Sequence, residues 1–509
     1  FRIEGNYTDI YMDGRAVKID DTVDLYGHIT SSSYNGGYTE VTVDVGDVLT
    51  SDLSRVWVSV TTPQSLPDGG FAVGGSAQKG VTTLTALQSL TIGTAIPHDG
   101  FTVYLAGRST AGDGAAGTFV WDSSNLSTEV GNDEVTAGEG DGGVYVAPAS
   151  DKTGASGAWV RQVNDSINVT WYGASGANSS NDKQFQNAIN QAQGYKYAVV
   201  VPLSDTGYNI SQIKILKGVT LRSETIVNTK QTQDIDLTNE TGGYPRLNAV
   251  GPVNTPLVIL QRKAGIENLR MTDFRQKFEH TSLDEPVNDT QYAMQIGDSA
   301  DLTDGITINN ITPVGFTRFL VSYRDASNNT CNAENLTCNG LRGYPFEIGV
   351  DLAFSSDVST FSECQFIPNS IRTLATGNFD IIRRNIARSA VGWKIGKADG
   401  LRFDRCQSFG VKTMFHFARD MFNGDENRFG GFTMQDSRGD IIGQFIKDDR
   451  NAGNVLGGNI IGGQTSPIVI LPNGEENTPF YLNEIAENGH TVFSVSNFSI
   501  QEGASNPTN

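Results

Sequence analysis

Ser359-Thr-Phe361-Ser-Glu-Cys364-Gln-Phe366 and Leu401-Arg-Phe403-Asp-Arg-Cys406-Gln-Ser408 share one spacing, with apolar or small residues at positions i, i+2, i+5 and i+7. Side chains alternate along a strand, so two short strands joined by a two-residue bend that resets the phase generate this signature. The same template fits Ala264, Ile266, Leu269 and Met271, then Ile306, Ile308, Ile311 and Pro313, and Cys331, Ala333, Leu336 and Cys338. Asn427, Phe429, Phe432 and Met434 fit it more loosely, and Phe379, Ile381 and Ile386 fill three positions with Arg384 breaking the fourth. From Ile306 onward the copies start 25, 28, 20, 22 and 26 residues apart. A period in the twenties, with a strand-bend-strand unit in each copy, predicts one coil of a solenoid. A second apolar pair recurs in the coils as Phe346 and Ile348, Trp393 and Ile395, and Phe415 and Phe417, and predicts a further sheet. The Leu-x-x-Leu-x-Leu pattern of leucine-rich repeats is missing, so the reading is a parallel β-helix.

The interval of 42 between Ala264 and Ile306 holds either two coils or one coil with an insertion, and the Asp, Glu and Asn of Phe278 to Asp304 favour a solvated insertion. All four cysteines, Cys331, Cys338, Cys364 and Cys406, fall on inward positions of the template. None forms a CxxC pair or stands at metal-ligand spacing from a histidine, so they read as small core residues, with no metal site and no cofactor. Helical periodicity is convincing only at Asp182 to Ala192, where Phe185, Ala188, Ile189 and Ala192 follow an Asn181-Asp182 cap. Residues 1 to about 90 alternate polar and apolar, as in Thr39-Glu-Val-Thr-Val-Asp-Val, and predict a small all-β module. Ser65 to Gly80 reads as a Gly-rich linker.

The chain has 509 residues with 57 acidic and 37 basic side chains, a net charge of −20. That balance disfavours nucleic-acid binding, which needs a basic surface. No apolar run approaches a membrane span, so no membrane insertion is expected, and the start Phe1-Arg2-Ile3-Glu4 shows no export signal.

Two segments resemble bacteriophage tailspikes. Ala106-Gly-Arg, Gly112-Asp-Gly-Ala-Ala-Gly117, Phe119-Val-Trp121-Asp122, Asp141-Gly-Gly-Val144 and Gly157-Ala-Trp159-Val-Arg161 look like the domain that precedes the solenoid in such spikes. Val169-Thr-Trp-Tyr-Gly-Ala174, the 182–192 helix, Val199-Val-Val-Pro202, Tyr208-Asn-Ile210 and Gly218-Val-Thr-Leu221 resemble the entry to a pectate-lyase-like, right-handed, single-stranded β-helix, capped by that helix. The usual Gly-Asp-Gly-x-x-Asp run is reduced here to Gly173-Ala-Ser-Gly-Ala-Asn-Ser-Ser-Asn-Asp182, and no Gly-Gly precedes Val199. The resemblance covers residues 95 to 225 by motif and extends to about 465 by the repeat. It implies a homotrimer on the virion tail, bound to a tail or baseplate protein through residues 1–165, whose β-helix binds and often cleaves a bacterial capsule or lipopolysaccharide. The organisation expected is a 1–94 attachment module, a 95–167 β domain, a 168–465 β-helix and a 466–509 trimer tip.

Glycoside hydrolysis needs two carboxyl groups about 5 to 9.5 Å apart. On the first sheet the outward columns hold Asp380, Asp404, Glu363, Arg383 and Arg405, and the template places Asp380 and Asp404 roughly 8 Å apart, suited to inversion. The competing reading makes these surface ion pairs, Asp380 with Arg402 and Glu363 with Arg383. A second surface lies where each coil turns back, with Glu347, Asp351 and Asp420 as carboxylates, and with Lys394 and His416 facing outward on the adjacent sheet. Arg383, Arg402, Arg405, Lys394 and His416 are the expected substrate-binding residues. Arg383-Arg384 and Arg402-x-x-Arg405 also suit a lyase, which needs a base and a neutraliser for a uronate. The alternatives to a hydrolase are a lyase, a non-enzymatic receptor-binding or structural fibre, and, against the first 165 residues, a free secreted enzyme.

Overall fold

The computed structural model describes residues 1–8, 10–12, 15–20, 24–44, 55–58, 79–90, 99–195, 197–224, 244–300, 302–327, 329–372, 374–375, 379–418, 431–448, 456–467, 480–482 and 491–500. Two compact units divide the chain, Phe1–Gln162 and Val163–Asn509. Most of Ser65 to Gly80, read as a linker, lies outside the described residues.

The first unit holds two five-stranded sheets. In one, Arg2–Glu4, Tyr38–Asp44, Asp24–Asn35, Ala16–Asp20 and Arg55–Val58 pair antiparallel around Val17, Ile19, Ile29 and Val41. The other begins at Lys79, earlier than the expected boundary at 95, because Val81, Leu84 and Leu87 share a core with Phe119, Trp121 and Trp159. Trp121 and Trp159 meet edge-on at 5.2 Å. Arg161, at the end of the last quoted motif, is buried and donates to the carbonyls of Gly143, Ala116 and Ala115, which fixes the glycine-rich loops against the sheet.

The second unit is a parallel β-helix. From Thr337 onward each coil runs a strand in the first sheet, a bend, a short strand in a second sheet, and a longer connection to a strand of a third sheet, whereas Gly265–Thr272 and Thr307–Val314 run unbroken in the first sheet. Inward residues stack in register, as Leu221, Ile266, Ile308, Cys338, Phe361, Phe403, Met434 and Ile460 on the first sheet. On the third sheet the column is Val258, Met294, Leu320, Val350, Trp393, Phe415 and Ile446. The helix Asp182–Tyr195 buries Phe185, Ala188, Ile189 and Ala192 against the first coil. It covers strand edges that would otherwise stay unpaired. All four cysteines are buried and free.

Register corrects three repeat assignments. Thr337 pairs with Thr307, so the true copy is Leu336, Cys338, Leu341 and Gly343, five residues after the expected start at Cys331. Leu401 pairs with Phe432, which shifts the Asn427 copy by five as well. Phe379–Ala387 is an α-helix and no coil at all: Ile382 and Ile386 are buried at helical spacing. In the third sheet Val350 and Leu352, in place of Phe346 and Ile348, align with Trp393 and Ile395. The strands Phe480–Leu482, Thr491–Ser496 and Ser499–Ile500 continue all three sheets, so the parallel pairing reaches Ile500, past the expected end of the β-helix at 465.

The interval after Ala264 is one coil with an insertion, and that insertion is tied down. Asn385, on the Phe379–Ala387 helix, donates from Nδ2 to His280 Nδ1 (2.8 Å) and Ser282 O (2.9 Å), and accepts at Oδ1 from the Asp284 amide (2.8 Å). Arg388 pairs with Asp284 at 2.6 Å, and Phe278 packs on Phe346 at 5.8 Å. Because Asn385 offers His280 a donor, Nδ1 must accept, and the ring is neutral. Burial, with Lys277 beside it, holds the His280 pKa below its ordinary value of 6.5. The unfolded chain therefore takes up this proton before the folded one does, and the latch loses stability as pH falls below about 6.5. Melting midpoints measured at pH 7 and pH 5 are expected to drop with acid, and the drop is expected to shrink in His280→Asn.

Candidate active site

The bend between the first two sheets places one residue per coil in the left-handed region: Asn268, Asn310, Gly340, Glu363, Arg405, Asp436, Gly462 and Asn497. Gly, Asn and Asp tolerate this conformation, whereas other side chains pay roughly 1–2 kcal/mol for it. Glu363 (φ 51°) and Arg405 (φ 50°) are the two exceptions in the column. They occupy consecutive coils, because Ser362 pairs in register with Asp404 and the Glu363 amide donates to the Asp404 carbonyl at 2.9 Å.

Their side chains meet. Arg405 Nη2 lies 3.1 Å from Glu363 Oε1, and its Nη1 lies 3.0 Å from Asp404 Oδ2. Arg342 reaches the other Glu363 oxygen at 3.8 Å. Both carboxylates on one guanidinium keep those oxygens no more than about 8.5 Å apart, under the upper limit of about 9.5 Å for the carboxyl pair of glycoside hydrolysis. Asp404 Oδ1 is buried with no hydrogen-bond partner among the described residues, a costly placement that the fold nonetheless keeps. Glu363 and Asp404 were both legible as candidates, but their pairing with each other was not. Arg342 was missed because its coil was set five residues out of register.

Asp404 also belongs to an outward column of Asn309, Asn339, Ser362, Asp404 and Gln435. Asn339 donates to Asn309 Oδ1 (3.2 Å) and Ser362 to Asn339 Oδ1 (3.1 Å). This stripe of amides and hydroxyls, repeating at about 4.8 Å per coil, matches what a sugar chain presents.

The expected Asp380–Asp404 pair does not form. Asp380 is in the first turn of the Phe379–Ala387 helix, exposed and paired with Arg383 at 3.2 Å, and the coil before Leu401 is the one containing Glu363. Among the described residues Asp380 pairs with Arg383, and Glu363 with Arg342 and Arg405, in place of the Asp380–Arg402 and Glu363–Arg383 ladder pairs, since a helix and a strand share no register. Arg384 sits on the same helix.

A second charged cluster gathers Glu347 and Asp351. Arg318 lies 3.2 Å from Glu347 and 3.6 Å from Asp351, Arg324 contacts Asp351 at 2.5 Å, and the Arg318 guanidinium covers the Tyr292 ring at 5.3 Å. Burial opposes the Arg318 charge, but Tyr292, Asp351 and Glu347 outweigh it and hold its pKa above the usual value. The Asp351 carboxylate is 3% exposed and enclosed by two guanidiniums, which suits an anchor for this part of the third sheet better than proton transfer. Lys394 and His416 follow Asp351 in one outward register column. Asp420 lies outside the described residues.

If the left-handed Glu363 is kept for chemistry, Glu363→Asn, which supplies the residue type found at 268 and 310, is expected to relieve up to about 1 kcal/mol of strain. The exposed ion pairs it removes are worth little. A melting midpoint equal to or above that of the unchanged chain is the expected result; a clear drop would make Glu363 a structural residue.

No family model matches the sequence, and no curated protein does. Among solved structures, the chain is similar to the enzymatically active domain of tailspike protein 2 of bacteriophage CBA120, with 12% identity and a TM-score of 0.42 over 82% of this chain and 61% of that one. It is similar to a tailspike protein from Acinetobacter baumannii bacteriophage Fri1, a capsular polysaccharide depolymerase, with 13% identity and a TM-score of 0.42 over 83% and 75% of the two chains. A glycan biofilm modifying enzyme of Pantoea stewartii, with a tailspike-like parallel β-helix, matches at 9% identity and a TM-score of 0.40, over 98% of this chain and 64% of its own. The chain thus spans less than two thirds of the length of the CBA120 and Pantoea structures.

Proposed function

We propose that this protein is a phage tailspike that binds a bacterial surface polysaccharide and hydrolyses it at Glu363 and Asp404. Glu363 and Arg405 carry the proposal: two charged residues hold a strained backbone in a column otherwise filled by Asn, Asp and Gly, and the same guanidinium fixes both carboxylates. Strained conformations persist where the surroundings over-determine them, and such places cluster at functional sites. One carboxyl group gives its proton to the glycosidic oxygen as the bond to the anomeric carbon breaks. The other takes a proton from water, or first attacks that carbon, and one water is consumed per bond. Asn309, Asn339, Ser362 and Gln435 offer hydrogen bonds to the sugars on either side.

The motifs between residues 95 and 225 support a place on the virion tail, assembly as a homotrimer, and attachment to a tail or baseplate protein through residues 1–165. Incubation with capsule and lipopolysaccharide of the host, followed by reducing-end assay and mass analysis, tests the reaction. Hydrolysis gives oligosaccharides whose masses add one water per cut. Unsaturated ends would instead mean elimination, and intact polymer despite binding would mean a receptor-binding protein without this activity.

A further inference from the structure

The first outward column of the first sheet runs Gly265, Thr307, Thr337, Thr360, Arg402, Thr433, Asn459 and Ser494. Threonine serves this position well, since a β-branched side chain with a hydroxyl fits a strand face open to water. Arg402 is the one charged member of the column, and it stands in the same strand as Asp404, on the same face and about 6.8 Å away. It is exposed; its amide donates to the Ser359 carbonyl, while its guanidinium makes no ion pair or hydrogen bond among the described residues. Arg342, Arg402 and Arg405 thus stand around Glu363 and Asp404, and of the three only Arg402 contacts neither carboxylate.

We infer that Arg402 recognises a carboxylate on the polysaccharide, so that the substrate is an acidic glycan whose charged sugar lies next to the bond cut at Glu363 and Asp404. A planar guanidinium donates two parallel hydrogen bonds to a carboxylate, and the two charged partners make each of them stronger than a contact to a neutral hydroxyl. Thr360 and Thr433, in register on the adjacent coils, place hydroxyls on either side of it. The inference rests on the hydrolytic reading of the same site and adds the charge of the substrate to it.

The test uses whichever polymer the full-length protein cleaves in the reducing-end assay, beside the same polymer with its carboxylates reduced to alcohols by carbodiimide activation and borohydride. The unchanged protein is expected to show kcat/KM on the order of tenfold to a hundredfold higher for the acidic form. Arg402→Gln is expected to narrow that ratio to within about threefold, and Arg402→Lys to restore part of it. A structural role would move both polymers together and leave the ratio alone. A cleaved polymer without acidic sugars, equal rates on the two forms, or an undiminished ratio in Arg402→Gln would each overturn the inference. Failure to cleave any polymer would instead strike the hydrolytic reading itself, and is told apart from the others by the missing reducing ends.

Discussion

Glu363→Gln and Asp404→Asn are each expected to lower polysaccharide turnover by about a hundredfold to ten-thousandfold, the range that positioned acid–base groups supply. Each amide keeps the shape of its side chain and one oxygen for Arg405, so the arrangement around the guanidinium is largely retained while proton transfer at that position is lost. The double variant is expected to be little worse than the poorer single one, because two groups that act on one bond do not contribute additively. Asp380→Asn is expected to leave turnover within about twofold: an exposed helix-surface pair of this kind contributes little. Initial rates of reducing-end release, with melting midpoints checked alongside, decide all four cases. Strong loss in Asp380→Asn with retained activity in Glu363→Gln would move the chemistry to the Phe379–Ala387 helix.

Trp393→Ala is expected to be the most damaging change to the fold, costing about 3–5 kcal/mol. The indole is fully buried at the centre of an aromatic stack, with Phe415 at 4.9 Å, Phe366 at 4.5 Å and Phe403 at 6.1 Å. These rings come from different sheets and neighbouring coils, so the cavity would open at the middle of the solenoid. Coils touch only their neighbours, which means that stability lost at one propagates to those stacked on it. Its Nε1 has no hydrogen-bond partner among the described residues, so the loss is one of packing. Denaturant unfolding is expected to show an earlier transition than in Trp393→Phe. Equal midpoints for the two variants would contradict the packing account.

The solenoid was legible because burial forces alternation, and alternation survives in any inward column. Its register was not fully legible, for a reason internal to the pattern. The apolar pairs at i, i+2 and at i+5, i+7 are five apart, so a shift of five lays one pair on the other. Asn332–Glu334, the left-handed Asn335 and Thr337–Asn339 build a second strand-bend-strand unit just before the true one, which bends at Gly340. The Phe379–Ala387 helix was mistaken for a strand because Phe379, Ile381 and Ile386 satisfy the template while Ile382 and Ile386 satisfy a helix, and only the packing decides between them.

The site shows the same division. Residue type together with an outward position on the template singled out Glu363, Asp404, Arg402 and Arg405, since charged groups on a strand face need a reason to be there. Their partners depended on coil register, so replacing the false coil at Phe379 with the one at Ser359 exchanges Asp380 for Glu363. Asn385 and His280 are 105 positions apart and follow no repeat, so no pattern in the sequence joins them.

The most direct test of hydrolysis at Glu363 and Asp404 is mass analysis of host polysaccharide incubated with the protein, and in parallel with Glu363→Gln, in water enriched in oxygen-18. The expected result is oligosaccharides carrying one heavy oxygen per new reducing end from the unchanged protein, and intact polymer from the variant. Unsaturated fragments without the label, or labelled fragments in equal yield from both proteins, would contradict it.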